Sequence, residues 1–138
     1  MNRPLVRSSK VQQQQRKERG RQGEEIVEAF LIEQGYTILA RNFSWRGGEI
    51  DIIARKDRSV AFVEVKTRAT AYFALSAVIT PQKQRKLIMT ARRYVLQQEL
   101  HHVALRFDIA LVEPDDTGGW QINYVTNAFT DLSEADSN

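Results

Sequence analysis

The chain contains no cysteine, which excludes disulfide staples, thiol catalysis and any zinc site built on thiolates. Long apolar runs are missing as well. The longest, Ala71 to Leu75, spans five residues, against the roughly 18 that a membrane crossing requires. The opening Met1-Asn2-Arg3-Pro4 builds no apolar signal segment, so the expectation is a cytoplasmic protein with no membrane partner. What is present is a globular composition, with 42% hydrophobic and 27% charged residues over 138 positions. That is enough for one packed core and short for two domains.

The formal charge of +3 hides an uneven distribution. Residues 1–22 carry seven Lys or Arg against Glu18 alone, whereas residues 113–138 carry six acids and no base. The basic segment also holds Gln12 to Gln15 and few apolar residues. Residues 1–19 are therefore expected to stay disordered on their own, either as a phosphate-seeking arm or as a solubilising tail. The acidic end, 131–138, reads as frayed. Residues 20–130 are left as a single domain.

Within that domain, Ile26, Val27, Phe30 and Leu31 recur at helical spacing from Gly23 onward, and Gly35 stops the helix. Tyr36 to Phe43 is rich in β-formers, and Trp45-Arg46-Gly47-Gly48 reads as a turn. Glu49 to Arg55 and Ser59 to Lys66 form a hairpin around Asp57-Arg58. Thr80-Pro81 opens a second helix, with Thr as cap and Pro at its first position. Ala104 to Val112 and Trp120 to Val125 complete the order. The prediction is an α/β fold with helices packed on a central mixed sheet of about five strands.

The hairpin carries an electrostatic conflict. Alternation puts Glu49, Asp51 and Ile53 on one face and Ile50, Ile52 and Ala54 on the other. A two-residue turn at Asp57-Arg58 sets Asp51 across from Glu64 and Glu49 across from Lys66. Opposed carboxylates repel, and apolar neighbours raise the cost of burying them. A divalent cation relieves this, since Mg²⁺ sits on one or two carboxylates plus waters and phosphates. Lys66 adjoins the pair and can stabilise charge on a phosphate. The same pattern also fits solvated charges on an exposed sheet face. Glu24 stands on the seam of Val27 and Leu31, at the border of the apolar helix face. It either leans toward the sheet or serves as a first-turn acid favoured by the helix dipole.

In the second helix, Leu87, Ile88, Ala91, Tyr94 and Val95 form the core face, with Arg85, Lys86, Arg92 and Arg93 mostly opposite and Lys83 on the flank. Such a stripe either tracks a phosphate backbone or is simply solvated. Arg68 follows the Glu64-Val65-Lys66 run and could reach a phosphate beside it. Trp45 beside Arg46 suits a core anchor or a base-stacking ring. His101 and His102 point apart and read as surface residues. Asp108 suits a partnership with Arg106 or a supporting role at the site.

These motifs resemble the YraN-like family of uncharacterised bacterial proteins. The resemblance rests on Gly20-Arg21-Gln22-Gly23-Glu24, Arg41-Asn42-Phe43, Gly48-Glu49-Ile50-Asp51, Phe62-Val63-Glu64-Val65-Lys66-Thr67-Arg68 and Arg106-Phe107-Asp108. That family is similar to the restriction-endonuclease-like superfamily, which includes Holliday junction resolvases. The resemblance implies a restriction-endonuclease-like core that cuts phosphodiesters in structured or branched DNA. Asp51 and Glu64 would hold Mg²⁺ or Mn²⁺, Lys66 would be the catalytic lysine and Glu24 the helix acid. From their own placement, Arg68, Lys83, Lys86 and Arg93 are the candidate contacts to nucleic acid. A homodimer is implied too, although no apolar stripe in the sequence demands one. A module that binds nucleic acid without cutting it, or an interaction protein using its charged termini, are the alternatives.

Overall fold

A computed structural model describes residues 9–68 and 79–130. The start of the basic arm, the apolar run at 71–75 and the acidic end at 131–138 lie outside the described residues. Helix α1 spans Ser9–Glu33, followed by β1 Thr37–Trp45, β2 Gly48–Lys56 and β3 Ser59–Thr67. Helix α2 then spans Pro81–Gln97, and β4 Ala104–Pro114 and β5 Trp120–Phe129 complete the chain. The strands form one sheet in the order β1-β2-β3-β4-β5. Only β3 and β4 run parallel, and α2 lies between them in sequence. This is the predicted α/β architecture, a mixed five-stranded sheet flanked by helices on a restriction-endonuclease-like core.

Each sheet face has its own apolar cluster. Val27 and Leu31 of α1 pack on Ile52, Ala54, Ala61, Val63, Ala110 and Val112. Leu87, Ala91 and Tyr94 of α2 cover Ile53, Phe62, Phe107 and Ile109 on the other face. A sheet buried on both faces explains why β3 and β4 read as nearly continuous apolar runs. Among the described residues, no helix is long and apolar enough to cross a membrane.

Helix α1 begins at Ser9, well ahead of Gly23 where the apolar periodicity starts. Residues 9–18 are exposed throughout. Lys, Arg and Gln are good helix formers, so a helix anchored by Val27 and Leu31 propagates back through a segment that has nothing to bury. The cap of α2 is as expected, with Thr80 Oγ1 accepting from Lys83 N at 3.2 Å and Pro81 following. Arg46 and Gly47, with φ of 46° and 81°, form the two-residue turn between β1 and β2. Lys56 pairs with Ser59 across Asp57-Arg58, confirming the expected hairpin register.

Two glycines set how closely the helices approach the sheet. Gly23 is buried, and a Cβ there would collide with Thr67 Oγ1 at the end of β3. A Cβ at Gly48 would meet Thr90 Oγ1 and come within 3.2 Å of the Lys86 carbonyl on α2. Gly23→Ala should therefore destabilise the protein by about 1–3 kcal/mol, although Ala is the better helix former. Thermal unfolding of Gly23→Ala and of the Gly23→Ala/Thr67→Ala double variant checks this. The second change should restore part of the loss by removing the colliding oxygen.

Candidate active site

The site begins where the β2–β3 ladder stops. Paired rungs run from Lys56–Ser59 to Ile52–Val63. In the continuing register Asp51 faces Glu64, and Val65 would face Ile50. Instead the Val65 N–H donates to Asp51 Oδ2 at 2.8 Å. The other edge of β2 is broken at the same residue. Rungs Arg41–Ile52 and Phe43–Ile50 flank it, with no Asn42–Asp51 rung between them. Asn42 sits in the left-handed region at φ 54°, which Asn tolerates. Asp51 is thus unpaired on both sides, and its carboxylate takes over a ladder hydrogen bond. The expected alternation also fails here. Ile50 joins Ile53 in the α2-side cluster while Ile52 packs toward α1, and the change of face falls at Asp51, where the rungs are missing on both sides.

Asp51 and Glu64 line a cleft of about 440 Å³, together with Gly48, Glu49, Lys83 and Lys86. Glu64 is only 8% exposed, and its Oε1 pairs with Lys83 Nζ at 3.0 Å. Burial pushes the Asp51 carboxyl up to about 8, aided by the Glu64, Glu24 and Glu49 charges and opposed by the Val65 N–H. Burial, followed by the neighbouring Lys83 charge, lowers the Lys66 ammonium pKa, while Glu64 acts the other way. Acids and lysines are packed together with too little water to screen them.

The expected residues converge unevenly. Asp51 and Glu64 meet in the cleft, and Lys66 is half-buried beside Glu64 and Lys83. Glu24 leans toward the sheet as anticipated, close enough to raise the Asp51 pKa. Its carboxylate is engaged elsewhere, however, accepting from Arg41 Nη2 at 3.3 Å. Arg41 also binds Glu28 at 2.8 Å, so this guanidinium bridges α1 to β1. With its amide turned to donate, Asn42 reaches Glu24 Oε1 at 3.1 Å and Glu49 Oε1 at 3.3 Å. Among the described residues, no three acidic or histidine side chains form a metal cage. The Asp51–Glu64 pair still suits Mg²⁺, which completes its shell with water and phosphate oxygens.

Two expectations change, for Lys83 and for Trp45. Lys83 does not flank a solvated stripe but sits on Glu64 inside the cleft. The Arg93 guanidinium lies 5.5 Å from the Trp45 ring centre, away from the acids. Trp45 belongs to neither apolar cluster, so it is not a core anchor. Lys86 lines the cleft from an exposed position. Arg68 is exposed past the end of β3, its N–H bonding Val112 O at 3.0 Å. Asp108 is a structural partner, fully engaged by Arg106, by Tyr124 Oη at 2.6 Å and by Asn127 N at 2.8 Å. Sequence reading missed the tethering roles of Arg41 and Asn42. Their one visible signal is a polar pair inside a strand otherwise rich in β-formers.

Fold and cleft together define a restriction-endonuclease-like α/β protein with a carboxylate–lysine site at the opening of its central hairpin. Residues 23–112 match the uncharacterised protein family UPF0102, and the chain belongs to that family. A UPF0102 protein of Pelobacter propionicus is 43% identical over 113 residues, covering 80% of this chain and 81% of the relative. One from Prosthecochloris aestuarii is 41% identical over 117 residues, covering 80% and 91%. Another, from Chlorobium phaeobacteroides, is 44% identical over 117 residues, covering 80% and 92%.

The buried acid pair has a measurable cost. An unfolded Asp51 ionises near 3.8, whereas the folded one holds its proton to about 8. Across that window the unfolded state releases a proton that the folded state keeps, so metal-free stability falls as pH rises. Asp51→Asn retains an acceptor for Val65 N and removes the charge. It should stabilise the metal-free protein at pH 8 by at least about 1 kcal/mol and flatten the pH dependence, as read by denaturant unfolding at several pH values.

Proposed function

We propose that this protein is a metal-dependent endonuclease that hydrolyses phosphodiester bonds, with structured or branched DNA as its substrate class. The observation that carries the reading is the Asp51–Glu64 pair, two carboxylates brought together in a lysine-lined cleft. Both carboxylates ionise together only at a cost, which a proton on Asp51 or a bound cation relieves. Held by Asp51 and Glu64, Mg²⁺ or Mn²⁺ would supply Lewis-acid polarisation of the scissile phosphate and a more acidic water.

The protein's own groups do the rest. Val65 N fixes one oxygen of Asp51 and leaves the other for the cleft. Lys66, with its lowered pKa, orients the attacking water and offsets charge growing on the phosphate. Lys83 holds Glu64 in place without substrate, and a phosphate entering the cleft gives its ammonium a second partner. Lys86 at the rim draws the polyanion in. Arg41 and Asn42 keep Glu24 and Glu49 turned toward the site's border.

Incubating the full chain with branched, single-stranded and duplex DNA, with Mg²⁺, Mn²⁺ or EDTA, tests this. Cleavage should require metal and fall at least about 100-fold in Asp51→Asn, Glu64→Gln and Lys66→Ala, while Asp51→Asn stays folded. Cutting that survives the carboxylate substitutions would remove Asp51 and Glu64 from the mechanism. The cytoplasm is the compartment this reading assigns to the protein.

A further inference from the structure

The catalytic cleft does not end at Lys86. Gly48 and Lys86 also line a second, narrow cavity with Trp45, Arg46, Met89 and Thr90. Trp45 and Met89 in turn line a third, open cavity of about 290 Å³, together with Arg92, Arg93 and Leu96. The three share lining residues and follow one another along α2, from Lys83 near its N-terminus to Leu96 near its end. From Lys86 to Leu96 the helix rises about 15 Å. That is about four to five nucleotides of a stacked strand.

The far end of this row differs chemically from the cleft. Met89 is 56% exposed and Leu96 70%, beside a Trp45 that takes no part in the core. Apolar side chains gathered into one exposed patch rimmed by polar groups mark a binding surface. Every charged residue lining the second and third cavities is basic: Arg46, Lys86, Arg92 and Arg93. The Arg46 guanidinium lies 4.8 Å from the centre of the Trp45 ring, and Arg93 Nε is buried with no hydrogen-bond partner. An apolar slot walled by indole, thioether and guanidinium, rimmed by cations, calls for a flat aromatic ring attached to negative charge. Gly48 lets the turn pack closely on Thr90 of α2.

We infer that the Trp45–Met89–Leu96 slot holds an unpaired base of a DNA strand whose backbone runs along α2 into the Asp51–Glu64 cleft. This makes DNA with a single-stranded segment, rather than continuous duplex, the preferred ligand. The inference rests on the nuclease reading for its catalytic meaning, but the binding it describes needs no metal. Every base has an aromatic face, so the slot is indifferent to sequence.

Binding measured in EDTA tests it apart from cleavage. In the Trp120→Phe protein, Trp45 is the sole tryptophan. Its fluorescence should be quenched saturably by oligothymidylate and by DNA with a single-stranded flap, and little by blunt duplex. Met89→Ala/Leu96→Ala, at exposed positions, should weaken single-strand binding about tenfold, with duplex binding changed less than about twofold. Trp45→Ala should do the same, and Trp45→Phe should retain most of the affinity. Equal losses for single strand and duplex, or an absence of quenching, would overturn the inference. So would a dimer, seen by sedimentation, that the Met89/Leu96 variant abolishes while DNA binding is untouched, since the surface would then belong to a second copy. The two readings fail separately. Quenching retained in Asp51→Asn with no cutting by the parent protein leaves the slot and removes the nuclease. Cutting without quenching does the reverse.

Discussion

At Asp51 the central hairpin exchanges a backbone acceptor for a carboxylate, and most of the site's character follows from that exchange. A ladder that continued would have buried Asp51 in the sheet or flipped it to solvent. The Val65 N–H instead pins Asp51 Oδ2, and the strands part where Glu64 comes forward. Asn42, in the left-handed region, opens the other side. The acid is thus held rigidly at a gap in a sheet that is otherwise covered on both faces.

The gap concentrates charge of both signs in little water. Burial raises the Asp51 pKa and lowers that of Lys66, so each group is pushed toward its neutral form. Such opposed shifts side by side mark a candidate functional site. By contrast, Asp108 is more deeply buried yet has a donor for each oxygen from Arg106, Tyr124 and Asn127. That network clamps β5 to β4 and reaches Tyr36 through Arg106. Two acids on the strands either side of β3 therefore serve different ends, and the number of donors facing each one distinguishes them.

Helix α2 connects these parts. Its buried face, Leu87, Ala91 and Tyr94, builds the core on one side of the sheet. Thr90 and the Lys86 carbonyl press on Gly48. Lys83 reaches Glu64. A residue type that reads as surface charge along the helix is thereby divided between the Asp51–Glu64 cleft and the Trp45 side of the helix.

Much of this was legible in the sequence. Thr80-Pro81 marked the start of α2, Gly35 the end of α1 and Asp57-Arg58 the turn, because caps and tight turns depend on a few adjacent residues. Once that turn was placed, the facing of Asp51 and Glu64 followed by counting. The roles of Lys83, Arg93, Arg41 and Asn42 did not follow. An ammonium on α2 is drawn to a carboxylate on β3 only after packing sets the helix against the sheet, and nothing near Lys83 in sequence tells it from Lys86. The same holds for the backward extension of α1, a stretch that buries nothing and is helical because the packed end propagates into it. Local chemistry determined the elements and the acids. Tertiary packing decided which cations answer them, because an ion pair is a distance between segments that the chain does not encode locally.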